Sequence, residues 1–121
     1  MTGLTDGERG SGTVLNLALG MVAVICMTAL AALGAASRAQ GLAQTAADLG
    51  ALAAATAIQV GADPCAVAAD VVQYNMAVLV ACTVEAAGVV TVETARDVDL
   101  GMTWGTGTAT ARARAGPQRS Q

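Results

Sequence analysis

Cysteines, carboxylates and arginines are the residues of this chain whose types and spacing invite chemistry. Cys65 and Cys82 stand 17 positions apart. The first opens an expected short helix and the second lies in an expected strand. Neighbouring elements of that kind allow a disulfide, which would close a loop of ordinary size and stabilise by about 3 kcal/mol. The alternative is a pair of free buried thiols. Cys26 sits inside an apolar run and reads as a small apolar filler. Zinc binding is not expected from three cysteines without a histidine or a closely spaced pair. Glu93, Asp97 and Asp99 share one strand face through its period of two. Such carboxylates can ligate a cation, yet the expectation is a solvated acidic face that blunts a sheet edge. Arg112, Arg114 and Arg119 form a mildly basic end. They read as an ordinary polar terminus, with contact to lipid or a partner as the alternative.

Catalysis finds little to work with. No histidine is present to activate a serine or cysteine. The glycine-rich stretches "GERGSG" and "GTGTATARARAG" lack the Gly-Lys-Ser/Thr that cradles phosphate. A net charge of −3 with no lysine argues against a basic nucleic-acid face. The chain is therefore expected not to be an enzyme, to bind no nucleic acid, and to need no metal or cofactor.

The elements that position these residues begin with an apolar run. Residues 10–37 carry no charge, and Val14 to Ala36 is broken only by Asn16, Gly20, Thr28 and Gly34. As a helix this run reaches about 35 Å, enough to cross a bilayer core of about 30 Å with some tilt. With 55% hydrophobic but only 2% aromatic residues, the chain has too little bulk elsewhere to bury such a helix. A signal peptide would have a shorter apolar region behind a basic lead. Here the lead holds Asp6 and Glu8 against a single Arg9. Cleavage in "LGAASR" near residue 36 remains the alternative, and it would release a small secreted binding protein. Ala31, Ala32, Ala35 and Ala36 are small enough to let a second helix approach closely in lipid.

Beyond the run, residues 37–60 continue as helix, rich in helix formers. Leu42, Ala46, Leu49, Ala53, Thr56 and Val60 recur at spacings of four and three and give a narrow apolar stripe, whose small residues let a partner helix approach closely. Gly61 ends this rod. Asp63 is a good N-cap and Pro64 suits the first position of a second helix. Val67, Val71 and Tyr74 are expected on its buried side, with Asn75 closing it. Residues 77–85, 89–98 and 106–115 read as strands of an antiparallel meander, with turns at Gly88 and Gly101. Trp104 and Tyr74 are expected to pack the sheet and the short helix. Residues 116–121 read as a frayed tail.

Taken together, "RGSGTVLNLAL" (9–19), "QTAADLGALAAA" (44–55), "GADPCAVAADVV", "CTVEAAGVVTVE" and the "ARARAGP" ending resemble the TadE-like pseudopilins of tight-adherence pilus systems. The resemblance covers roughly residues 8–117. It is strongest to an actinobacterial branch of short TadE-like proteins encoded beside a helicase and a secretion ATPase. It implies a minor pilin or pseudopilin inserted with its N-terminus cytoplasmic, working with other pilin or Tad secretion-system subunits. It also implies a prepilin peptidase that cuts after Gly10, leaving Ser11 as the new N-terminus and the apolar helix in place. One position departs from the pattern. Such proteins usually carry a Glu after the Val five residues past the cut, where Val14 is here followed by Leu15. In pilins that Glu is thought to pair with the terminal amine of a neighbouring subunit.

The expected architecture is thus α+β. A cytoplasmic leader (1–13) precedes a transmembrane helix (14–36) and its extracytoplasmic extension (37–60). A disulfide-stapled cap (61–115) and the tail follow. The expected location is the cell membrane, single-pass with the C-terminal domain outside, at the cell surface or in a pilus.

Overall fold

A computed structural model describes residues 5–101 and 104–117 of the chain. One helix, α1 (Thr5–Gln59), runs 55 residues without interruption. At about 1.5 Å per residue it is about 80 Å long. It starts well before Val14, so it takes in part of the expected leader as well as the apolar run. No proline falls inside it, and Thr28, Thr45 and Thr56 return their hydroxyls to carbonyls one turn earlier. Its end is a Schellman motif. Gly61 takes a positive φ of 75°, its N–H donates to Ile58 O, and the Ala62 N–H donates to Ala57 O.

α2 (Pro64–Tyr74) opens as expected, with the Asp63 carboxylate accepting from the N–H groups of Cys65 and Ala66. Its end repeats the Schellman pattern around Met76, which holds φ at 58°. Such a backbone is unusual for a side chain with a Cβ. The Arg96 guanidinium secures it by donating to the carbonyls of Asn75 and Met76. The Asn75 amide reaches back to Val71 O at 2.8 Å.

The strands form the expected meander in the order β1 (Val78–Glu85), β2 (Val89–Asp99) and β3 (Thr106–Ala115), all antiparallel. Register shifts between Leu79 and Ala81, a bulge that leaves Val80 unpaired. The β1–β2 turn runs through Ala87 and Gly88, both at positive φ. The fold is α+β, one sheet laid against the upper part of a long helix.

Alanine and valine make the core. Along α1 the buried face is Ala39, Ala43, Ala46, Ala47, Gly50, Ala51, Ala54 and Ala57. It meets Ala109 and Ala111 of β3 low in the cap, and Ala68, Val72, Val90 and Val92 higher up. Thr94 is the one buried polar side chain among the described residues, and its hydroxyl donates to Ala43 O at 2.8 Å. Gly50 marks the closest crossing: a Cβ there would lie 2.8 Å from Val72 Cγ2. Gln40 and Gln44 donate to the carbonyls of Thr110 and Arg112, so α1 also covers part of the edge of β3.

The stripe Leu42, Ala46, Leu49, Ala53, Thr56 and Val60, expected to admit a partner helix, is not the face of α1 that meets the sheet. Only Ala46 is fully buried, and Leu42, Leu49, Thr56 and Val60 are exposed. The physical reason is the separation between the axis of α1 and the sheet, which small residues close and leucines would prop open. On α2, Ala68 and Val72 point inward, Val67 and Val71 are half-buried, and Tyr74 is 89% exposed. The tail is ordered at its start, because Gly116 lies so close to Val89 that a Cβ would clash with it. Arg119 and the last residues of the expected tail lie outside the described residues.

Candidate functional site

Two uncovered apolar surfaces and one covalent staple are the features of this fold with functional content. The first surface is the lower half of α1. Val14, Leu15, Leu17, Leu19, Met21, Val22, Val24, Ile25, Met27, Leu30 and Leu33 are all exposed. They point to every side of the helix, and every residue from Thr13 to Ala31 is exposed. One helix is thus long and apolar enough to cross a membrane. From Val14 to Leu33 the uncovered run measures about 30 Å at helical rise, the thickness of a bilayer hydrocarbon core.

The second surface is a groove of about 560 Å³ between α1 and α2, on the side of the rod away from β3. Leu49, Leu52, Thr56 and Val60 of α1 line one wall, and Val67 and Val71 of α2 line the other. Its only polar lining side chain is Thr56, whose hydroxyl is already bonded within the helix. Leu49, Ala53, Thr56 and Val60 belong to the apolar stripe legible in the sequence, and Leu52 lies outside it.

Cys65 and Cys82 are bonded, with Cα atoms 5.8 Å apart. The bridge ties the first turn of α2 to the middle of β1. Cys26 is the free cysteine and is exposed within the apolar run. Gly10 and Ser11, the residues of the expected processing site, are exposed within α1, so a peptidase would meet them in helical form. Among the four alanines expected at a helix interface, Ala31 is exposed, whereas Ala32, Ala35 and Ala36 are half-buried where the cap begins.

The outer sheet face is polar and carries two ion pairs. Glu93 stands directly opposite Arg112 in register and accepts from it at 2.9 Å. Arg114 reaches diagonally to Glu85. The expected acidic face and basic end thus meet at the Glu93–Arg112 pair. Exposed pairs of this kind add little stability, typically below about 1 kcal/mol. Asp99 uses its carboxylate to accept from the Gly101 N–H at 2.8 Å, fixing the β2–β3 turn. Trp104 follows in that turn and is not in the sheet core. It shares a shallow recess with Ala29, Ala32 and Leu33 of α1.

The arrangement provides binding surfaces and a staple, with no assembled set of catalytic groups among the described residues. No family model, no curated protein and no solved structure matches the chain.

Proposed function

We propose that this protein is a structural subunit anchored in the cell membrane: a minor pilin or pseudopilin, or a scaffold, of a Tad-type pilus or related secretion apparatus. The helix enters the bilayer with residues 14–33 and holds the cap outside, single-pass with the N-terminus cytoplasmic. The observation that carries this reading is the unbroken α1, whose lower half is apolar on every side while its upper half carries the whole cap. A soluble protein would have to hide that surface. Lipid, or the matching helix of a neighbouring subunit, covers it without further structure. The α1–α2 groove gives the cap its own apolar contact for a neighbouring subunit. The exposed Gly10–Ser11 bond is the point at which a prepilin peptidase would act.

Mass spectrometry of the mature N-terminus in membrane fractions tests the reading. A chain that begins at Ser11 and stays with the membrane supports the processed pilin. An intact N-terminus in the same fraction supports the unprocessed scaffold. A chain that begins near Ser37 and appears in the medium refutes both and leaves a secreted binder.

A further inference from the structure

Leu100 and Trp104, one toward each end of the β2–β3 turn, line one recess with Ala29, Ala32 and Leu33 of the apolar run. Immediately above them the surroundings change character. Arg38 of α1, with Arg96, Asp97 and Asp99 of β2, lines the next recess along the rod. Between Leu33 and Arg38 the rod rises only about 7 Å, so the passage from apolar to charged surface is abrupt. Trp104 is 53% exposed. Backbone hydrogen bonds join the described ends of the turn. Leu100 N–H donates to Gly105 O, the N–H groups of Trp104 and Gly105 both donate to Gly101 O, and Gly101 and Gly105 supply the positive φ values.

We infer that Leu100 and Trp104, flanking the β2–β3 turn, form a second membrane contact, seated in the boundary between lipid headgroups and acyl chains. The inference rests on the membrane reading above. Its occupant is lipid because the recess is continuous with the uncovered apolar run and stops where charged groups begin. An amphipathic indole is favoured at that depth, its ring in the apolar layer and its N–H toward water. Leu100, four positions earlier in the same turn, adds apolar area on the same side. The contact gives the cap a fixed height and rotational setting against the bilayer, which a single helix crossing cannot do.

Trp104 is the only tryptophan and Cys26 the only free cysteine, so the native full-length chain carries both probes needed. The protein is reconstituted in phosphatidylcholine–phosphatidylglycerol vesicles with Cys26 bearing a small fluorophore. Quenching is compared between lipids brominated near the glycerol backbone and lipids brominated near the chain ends. The expected result is a blue-shifted Trp104 emission that loses roughly half its intensity to the shallow bromines and little to the deep ones, as an interfacial indole should. The Cys26 probe should show the opposite preference. If the Cys26 probe is quenched while Trp104 emits as in water and yields to aqueous iodide, the turn does not touch lipid and this inference fails with the anchor intact. If both probes favour the deep bromines, the interfacial placement is wrong. If neither is quenched by any lipid, the membrane reading itself falls.

Discussion

Replacing Gly50 with alanine sets helix propensity against packing at one atom. Alanine is favoured over glycine in a helix interior by about 1 kcal/mol. At Gly50 the added methyl would stand 2.8 Å from Val72 Cγ2, roughly 1 Å inside ordinary carbon–carbon contact. Val72 is fully buried, and as a β-branched residue in a helix it has one strongly preferred rotamer. It can yield only by moving α2. Overpacking of this kind costs about 1–3 kcal/mol, which leaves a net loss of up to about 2 kcal/mol. Gly41 supplies the internal control: it is exposed on the same helix, and a Cβ there meets nothing within 4 Å. Gly41→Ala should therefore stabilise by up to about 1 kcal/mol. For a unit the size of this cap, 1 kcal/mol corresponds to about 4–8 °C in Tm. The assay is thermal unfolding of the full chain in detergent micelles, followed by circular dichroism. Gly41→Ala should raise Tm and Gly50→Ala should lower it. Combining Gly50→Ala with Val72→Ala should be milder than the sum of the two, with a coupling of about 0.5–3 kcal/mol. If Gly50→Ala stabilises as much as Gly41→Ala, α1 and α2 do not approach as described and the reasoning about the alanine face is wrong.

Other perturbations probe different contacts. The paired replacement Cys65→Ala/Cys82→Ala should lower cap stability by about 3 kcal/mol, read from the denaturant midpoint. Thiol labelling of denatured, unreduced native chain should find one reactive cysteine, Cys26, and three would show that the staple does not form. Thr94→Val keeps the shape of a buried side chain while removing its bond to Ala43 O. It should cost about 0.5–1.5 kcal/mol in the same unfolding experiment, and no loss would mean the hydroxyl is dispensable. Leu52→Glu alters an exposed groove residue, so it should change cap stability by no more than about 0.5 kcal/mol. It should nevertheless abolish co-purification of neighbouring subunits from membranes, and unchanged co-purification would remove the groove from the subunit contact.

Much of the architecture was legible because local chemistry and tertiary structure agree. Asp63 and Pro64 mark the start of α2 whatever surrounds it, and the three strand segments alternate cleanly between two glycine-marked turns. The staple between Cys65 and Cys82 followed from the helix–strand neighbourhood that those signals define. The inward face of α1 is not legible in the sequence, for a physical reason. Residues 37–60 carry two apolar stripes, one of alanine and glycine and one of leucine and valine, and hydrophobicity ranks the second higher. The sheet selects the first because the inner face of β3 is itself alanine, and two small surfaces gain most by closing together. The larger stripe instead lines the open groove against α2, where we propose that a neighbouring subunit docks, and no periodicity within the chain reports such a contact. Tyr74 and Trp104 were misplaced by the habit of assigning the largest side chains to the core. In this protein the largest fully buried side chains are valines and a threonine.

On the proposed membrane placement, the continuity of α1 from span to cap makes the protein a lever whose fulcrum is the bilayer. From Leu33 to Gln59 the upper arm is about 39 Å long at helical rise. A tilt of about 20°, ordinary for membrane-crossing helices, carries its far end sideways by about 13 Å. Membrane thickness, by dictating that slope, would then govern how far apart the tips of adjacent copies stand.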